Sequence, residues 1–127
     1  MSSQQQLSLE GIHVEQELLR ETVGSQDQVL AAYGGLRHVE FHQGGEISVN
    51  PVTLSQERTK ELNDGLMLFY TGIRRTASDV ASTYVQDISS REQQLRAMMD
   101  MVTEGISILN SSDDMDRFGM LLDEAWM

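Results

Sequence analysis

The chain has 127 residues with a formal net charge of −11 and no cysteine, and its pI is near 4.5. That length allows a real core. The acidic balance argues against non-specific binding of nucleic acid or an anionic membrane, which needs a basic footprint. The missing thiols exclude disulfides and thiolate metal sites.

Residues 8–23 read as an amphipathic helix, with Leu9, Ile12, Gln16, Leu19 and Val23 on one face and Glu10, Glu15, Glu17 and Glu21 facing water. Gly11 lowers its propensity. Gly24 and Ser25 break this helix and cap the next, which carries Asp27 in its first turn between Gln26 and Gln28. Val29 to Ala32 continue it, and Gly34-Gly35 stops it. A carboxylate in a first turn is favoured by the free N–H groups and the helix dipole, so spacing alone makes Asp27 an ordinary helix-start charge.

Residues 36–42 and 46–52 read as strands around a Gly44-Gly45 turn, with Pro51 near a strand end where a missing N–H is tolerated. Val39 and Phe41 take the dry face and His38, Glu40 and His42 the wet one. The two histidines stand about 13 Å apart along a strand, too far to share one ion. Thr53 to Asn63 forms a polar helix, with Thr53 and Gln56 at capping-box spacing. The unbroken run Leu66–Tyr70 predicts a buried strand.

Residues 76–87 are predicted helical, with Ala77, Val80, Ala81, Tyr84 and Ile88 on one face. Ser89 and Glu92 open a further helix, in which Leu95, Met98, Met99, Val102, Ile106 and Leu109 form a stripe that reads as core packing. Asp113, Asp114 and Asp116 lack the glycine and terminal glutamate of a calcium loop and read as helix caps. Met115, Phe118, Leu122 and Ala125 start a last helix, which reaches Trp126-Met127 without a C-cap and reads as cut. The pattern predicts an α+β fold. No apolar run is long enough for a membrane helix, and the polar start lacks a signal-peptide core, so a cytoplasmic protein is expected.

Two blocks carry a resemblance: Val23 to Phe41, and Leu66-Met-Leu-Phe-Tyr-Thr-Gly-Ile-Arg-Arg-Thr-Ala-Ser-Asp79. Together they resemble the middle of GHMP-type small-molecule kinases, whose members include galactose, homoserine and mevalonate kinases. The likeness is greatest to the branch of D-glycero-D-manno-heptose 7-phosphate kinases. It implies residues 1–52 as the end of an N-terminal, ATP-binding domain. Residues 53–127 become the start of a ferredoxin-like C-terminal domain.

The resemblance also implies the chemistry. Transfer of the γ-phosphoryl of ATP to the anomeric hydroxyl of a heptose 7-phosphate needs positioning and charge neutralisation, here with Mg2+. Asp27 would face the acceptor hydroxyl, as general base or as electrostatic positioner. Gln26 and Gln28 would hydrogen-bond the sugar or hold the carboxylate, and Gly24 and Ser25 would allow close backbone approach of the nucleotide at the helix N-terminus. Thr71 and Arg75 would read the sugar phosphate, Arg75 matching the family better than Arg74.

The glycine- and serine-rich phosphate loop and the late glycine-rich segment of the family are not found here. The chain therefore reads as an internal part of such a kinase. Alone, it is expected to bind ATP poorly and not to turn over. A kinase for another sugar, such as fucose, and a non-catalytic remnant acting as an interaction module are the competing readings. Oligomeric state is open.

Overall fold

The computed structural model describes residues 2–73 and 88–126. These fall into two compact units, one holding 2–52 and residue 73, the other holding 53–72 and 88–126. Helices and one antiparallel hairpin make up the described regular structure, an α+β mixture. The predicted helix over 76–87 lies outside the described residues.

In the first unit, α1 spans Gln4–His13. It starts earlier than the apolar spacing predicts, because Ser3 caps it: the Ser3 Oγ accepts from the Gln6 N–H at 3.0 Å. The predicted helix also does not run on to Val23. After His13 the chain widens into a π turn at Val14–Leu18, where the Leu19 N–H reaches back to the Val14 carbonyl at 2.9 Å. Arg20 then takes φ +56°, a left-handed conformation that ends helical winding.

Helix α2 spans Gln26–Tyr33 and ends at Gly34, where the glycine pair is predicted to stop it; its φ of +63° with ψ of 172° is a conformation open chiefly to glycine. It packs along α1. Gly11 sits at that contact: a Cβ there would stand 3.5 Å from the Cβ of Gln28. That is ordinary van der Waals contact, so the helix pair has room for an alanine at this position. Val29 is fully buried. Leu9, predicted on the buried face, is half exposed, and Ser8 is buried instead. Its hydroxyl is satisfied by the Gln5 carbonyl at 2.8 Å.

The hairpin forms as the turn chemistry predicts. Strand β1 (Arg37–Phe41) pairs antiparallel with β2 (Ile47–Pro51), with Val39 opposite Val49. Gly45 takes φ +83° in the turn. Pro51 closes the ladder opposite Arg37, and Val52 donates to the Leu36 carbonyl at 3.0 Å just beyond it. Phe41 departs from the predicted dry face and is half exposed. His42 Nε2 and Ser48 Oγ are hydrogen-bonded at 2.9 Å.

In the second unit, α3 spans Gln56–Gly65. Its cap is Ser55, not Thr53: the Ser55 Oγ accepts from the Arg58 N–H at 3.1 Å. The predicted buried strand at Leu66–Tyr70 is not formed. These residues are coil, and Leu68 is fully exposed with its four neighbours largely so. A strand needs a neighbour's N–H and C=O groups, and none is paired with this run among the described residues.

Helix α4 spans Glu92–Asn110 behind a 3-10 turn at Ile88–Arg91. The residue ahead of it, Arg91, gives no side-chain cap, and the Ser89 side chain lies outside those described. Helix α5 spans Asp116–Trp126, with Asp114 Oδ1 accepting from the Asp116 N–H at 3.0 Å as the capping reading expects. The two pack where Gly105 faces Phe118 and Leu121, and Ile108, Leu109 and Leu121 are buried. Only the C-terminal half of the α4 stripe is therefore core. Leu95, Met98, Met99 and Val102 remain exposed. On α5 the buried leucine is Leu121, while Leu122, one helical step further round, is half exposed.

Arg58 ties α3 to the end of α4. Its guanidinium donates to the Ile108 carbonyl at 2.8 Å, the Asp113 carbonyl at 2.9 Å and the Glu61 carboxylate at 2.7 Å. The Ile108 carbonyl also accepts from the Ser111 N–H at 3.2 Å and the Ser111 hydroxyl at 3.0 Å, so Arg58 adds a charged donor to a helix end that its own chain already caps.

Candidate functional site

The residues that matter lie at the start of α2. Ser25 precedes the helix with φ −107° and ψ 1°, and its side chain caps nothing. Its hydroxyl instead accepts from Gln16 Nε2 at 3.3 Å, and the same amide donates to the Val23 carbonyl at 2.9 Å. The first-turn N–H groups of α2 are left without a side-chain acceptor from Ser25. Gly24 is exposed and meets no atom within 4 Å of where a Cβ would stand.

Gln26, Asp27 and Gln28 stand about 100° apart around the helix, so they do not act as one group. Gln26 and Asp27 are exposed. Gln28 turns inward: its Nε2 donates to Glu15 Oε2 at 2.5 Å, and its Oε1 is buried without a protein partner. The accessible chemistry is a carboxylate on the first turn of a helix. It can accept a proton or a hydrogen bond from a hydroxyl brought to it.

Glu15 and Gln16 hold this segment, and the sequence pattern placed neither at a site. Gln16 carried the one available signal, a polar residue standing in an otherwise apolar stripe. Glu15 is half-buried, and not on the water face assigned to it. Replacing Glu15 by alanine leaves the Gln28 amide buried with neither end satisfied. This should cost about 1–3 kcal/mol, read by urea denaturation, whereas Glu15→Gln keeps an acceptor and should lose less.

Thr71 belongs to the other unit, where it is exposed in the coil after α3. Arg75 lies outside the described residues. Among the described residues no group of three His, Asp or Glu side chains converges for a metal ion.

No family model matches the chain, and no solved structure matches it. The chain is similar to the D-glycero-alpha-D-manno-heptose 7-phosphate kinase of Campylobacter jejuni, with 27% identity over 115 residues. The match covers 89% of this chain and spans 34% of that relative's length. Both resembling blocks fall in the range of residues that the match covers almost entirely. Among the described residues, no helix is long and apolar enough to cross a membrane.

Proposed function

We propose that this chain is the acceptor-side part of an ATP-dependent sugar kinase, one that phosphorylates the anomeric hydroxyl of a heptose 7-phosphate. The observation that carries the reading is the similarity to a heptose 7-phosphate kinase along 89% of the chain, together with an exposed carboxylate at the start of α2. Asp27 takes the proton of the acceptor hydroxyl or orients it. Gln26, exposed about 100° round the same turn, is a separate proposed contact to the sugar. Gln28 supports the turn from within, through Glu15. Thr71 and Arg75 are the proposed readers of the sugar phosphate.

MgATP supplies the phosphoryl group. Its phosphates need a cradle of backbone N–H groups and positive charge, and Gly24 and Ser25 would contribute only the edge of it. The test is ADP release with MgATP and D-glycero-D-manno-heptose 7-phosphate, on the chain joined to the two glycine-rich segments that the family carries. Sugar-dependent ADP release supports the reading. ADP release with fucose and not with the heptose assigns another sugar, and a folded protein inactive on both sugars overturns it.

A further inference from the structure

The π turn ends at Leu18, and α2 does not start until Gln26. Residues 19–25 therefore join two helical stretches without belonging to either. One side chain reaches into this connector from the π turn. Gln16 Nε2 donates to the Val23 carbonyl at 2.9 Å and to the Ser25 hydroxyl at 3.3 Å, seven and nine residues further on. A carbonyl can only accept, so the Val23 bond fixes which end of the amide faces the connector, and Ser25 accepts in turn. Gly24, between the two acceptors, meets no atom within 4 Å of where a Cβ would stand. Gln16 holds both ends of a span whose middle residue is the least constrained of all.

What that grip controls is the start of α2. The Ser25 carbonyl accepts from the Val29 N–H at 3.3 Å, so the connector passes directly into the first turn of the helix. Asp27 stands on that turn, two residues beyond Ser25. A displacement of the Ser25 end carries the Asp27 carboxylate with it. Stability is a weaker reason for an amide here. Gln16, Val23 and Ser25 are all half-buried, so water can replace either bond. Methionine, of similar length, would pack at such a position without any donor.

We propose that Gln16 is a positioning residue for phosphoryl transfer: its amide fixes the Val23–Ser25 connector, and through it the place at which Asp27 meets the acceptor hydroxyl. This rests on the kinase reading above and adds to it a residue that touches neither substrate. Gln16 acts only through the geometry of Asp27, so its worth should vanish once the Asp27 carboxylate is gone.

Steady-state kinetics of the chain joined to the family's two glycine-rich segments tests this, with Gln16→Met and Gln16→Glu each made in the parent and in Asp27→Asn. Neither replacement donates, because methionine has no N–H and glutamate is ionised at neutral pH. In the parent each should lower kcat about 10- to 100-fold, the cost of misplacing a reacting group by about an ångström. The KM for MgATP should stay within about threefold, since binding common to ground and transition states is untouched. In Asp27→Asn the same changes should lower kcat by less than about threefold, because residues that act as a unit are not additive. Glu17→Gln, at an exposed position of the same π turn, should keep the parental kcat. Equal losses in the two backgrounds overturn the proposal, since a general loosening of the fold affects both alike. If Gln16→Glu loses its far-UV circular dichroism, Gln16→Met decides, and unfolding of both assigns Gln16 to the fold and overturns the proposal. An active parent indifferent to Gln16 overturns this proposal alone. A folded parent that releases no ADP with either sugar overturns the kinase reading as well.

Discussion

Asp27→Asn is expected to lower kcat for sugar phosphorylation by about 10²–10⁴, the span that a positioned acid–base group contributes. It should leave the fold intact. Asp27 is exposed on the first turn of α2 and has no hydrogen-bonded partner among those established for its neighbours Gln28 and Ser25. Its structural worth is that of a charge near a helix N-terminus, about 0.3–1 kcal/mol. Asparagine keeps the size and one acceptor oxygen but cannot hold the hydroxyl proton. The measurement is steady-state kinetics of the extended kinase with denaturant curves in parallel. Turnover unchanged in Asp27→Asn would remove Asp27 from the site and leave the kinase reading standing.

The second large effect is on stability. Arg58→Ala should destabilise the second unit by about 2–4 kcal/mol, because two carbonyls lose charged donors at once. The Arg58 side chain is only 15% exposed, so water does not readily replace it. Arg58→Lys should recover less than half of the loss. One ammonium on a flexible stem cannot reproduce a planar fork that meets Ile108 O, Asp113 O and Glu61 together. By contrast, the exposed pairs Lys60–Asp64 and Arg96–Glu92 join side chains more than 60% exposed. Truncating either should cost under about 1 kcal/mol. Urea unfolding of the single variants ranks them.

Much of the first unit was legible because its signals are local. Gly34 stops α2 and Gly45 turns the hairpin by conformations that glycine adopts at no steric cost. The first-turn position of Asp27 followed from the same punctuation. Other features depend on groups distant in sequence, or on one choice among near-equals. The run 66–70 has strand composition, but composition does not supply the neighbouring strand. The α4 stripe is periodic along its whole length, yet period alone does not say which half finds α5. Thr53 and Ser55 are both acceptable caps two residues apart, and geometry favours the second. The Glu15–Gln28 bond was hidden because helical periodicity assumes regular winding, and the chain departs from it between them. The roles proposed for Thr71 and Arg75 came chiefly from resemblance.

That departure has an evolutionary consequence. A turn closed over five residues, as at Val14–Leu18, holds one residue more than a regular one. Losing a single codon there would restore an ordinary helix and swing the residues before it by about 100° relative to those after it. The α1 face that meets α2 would then no longer line up with Glu15's grip on Gln28. Length, more than identity, is the property this stretch must keep: conservative replacements at Val14, Glu17 or Leu18 are tolerable, while an indel of one residue is not. Homologous chains that hold the Asp27 segment in the same way should therefore align through this turn without a gap.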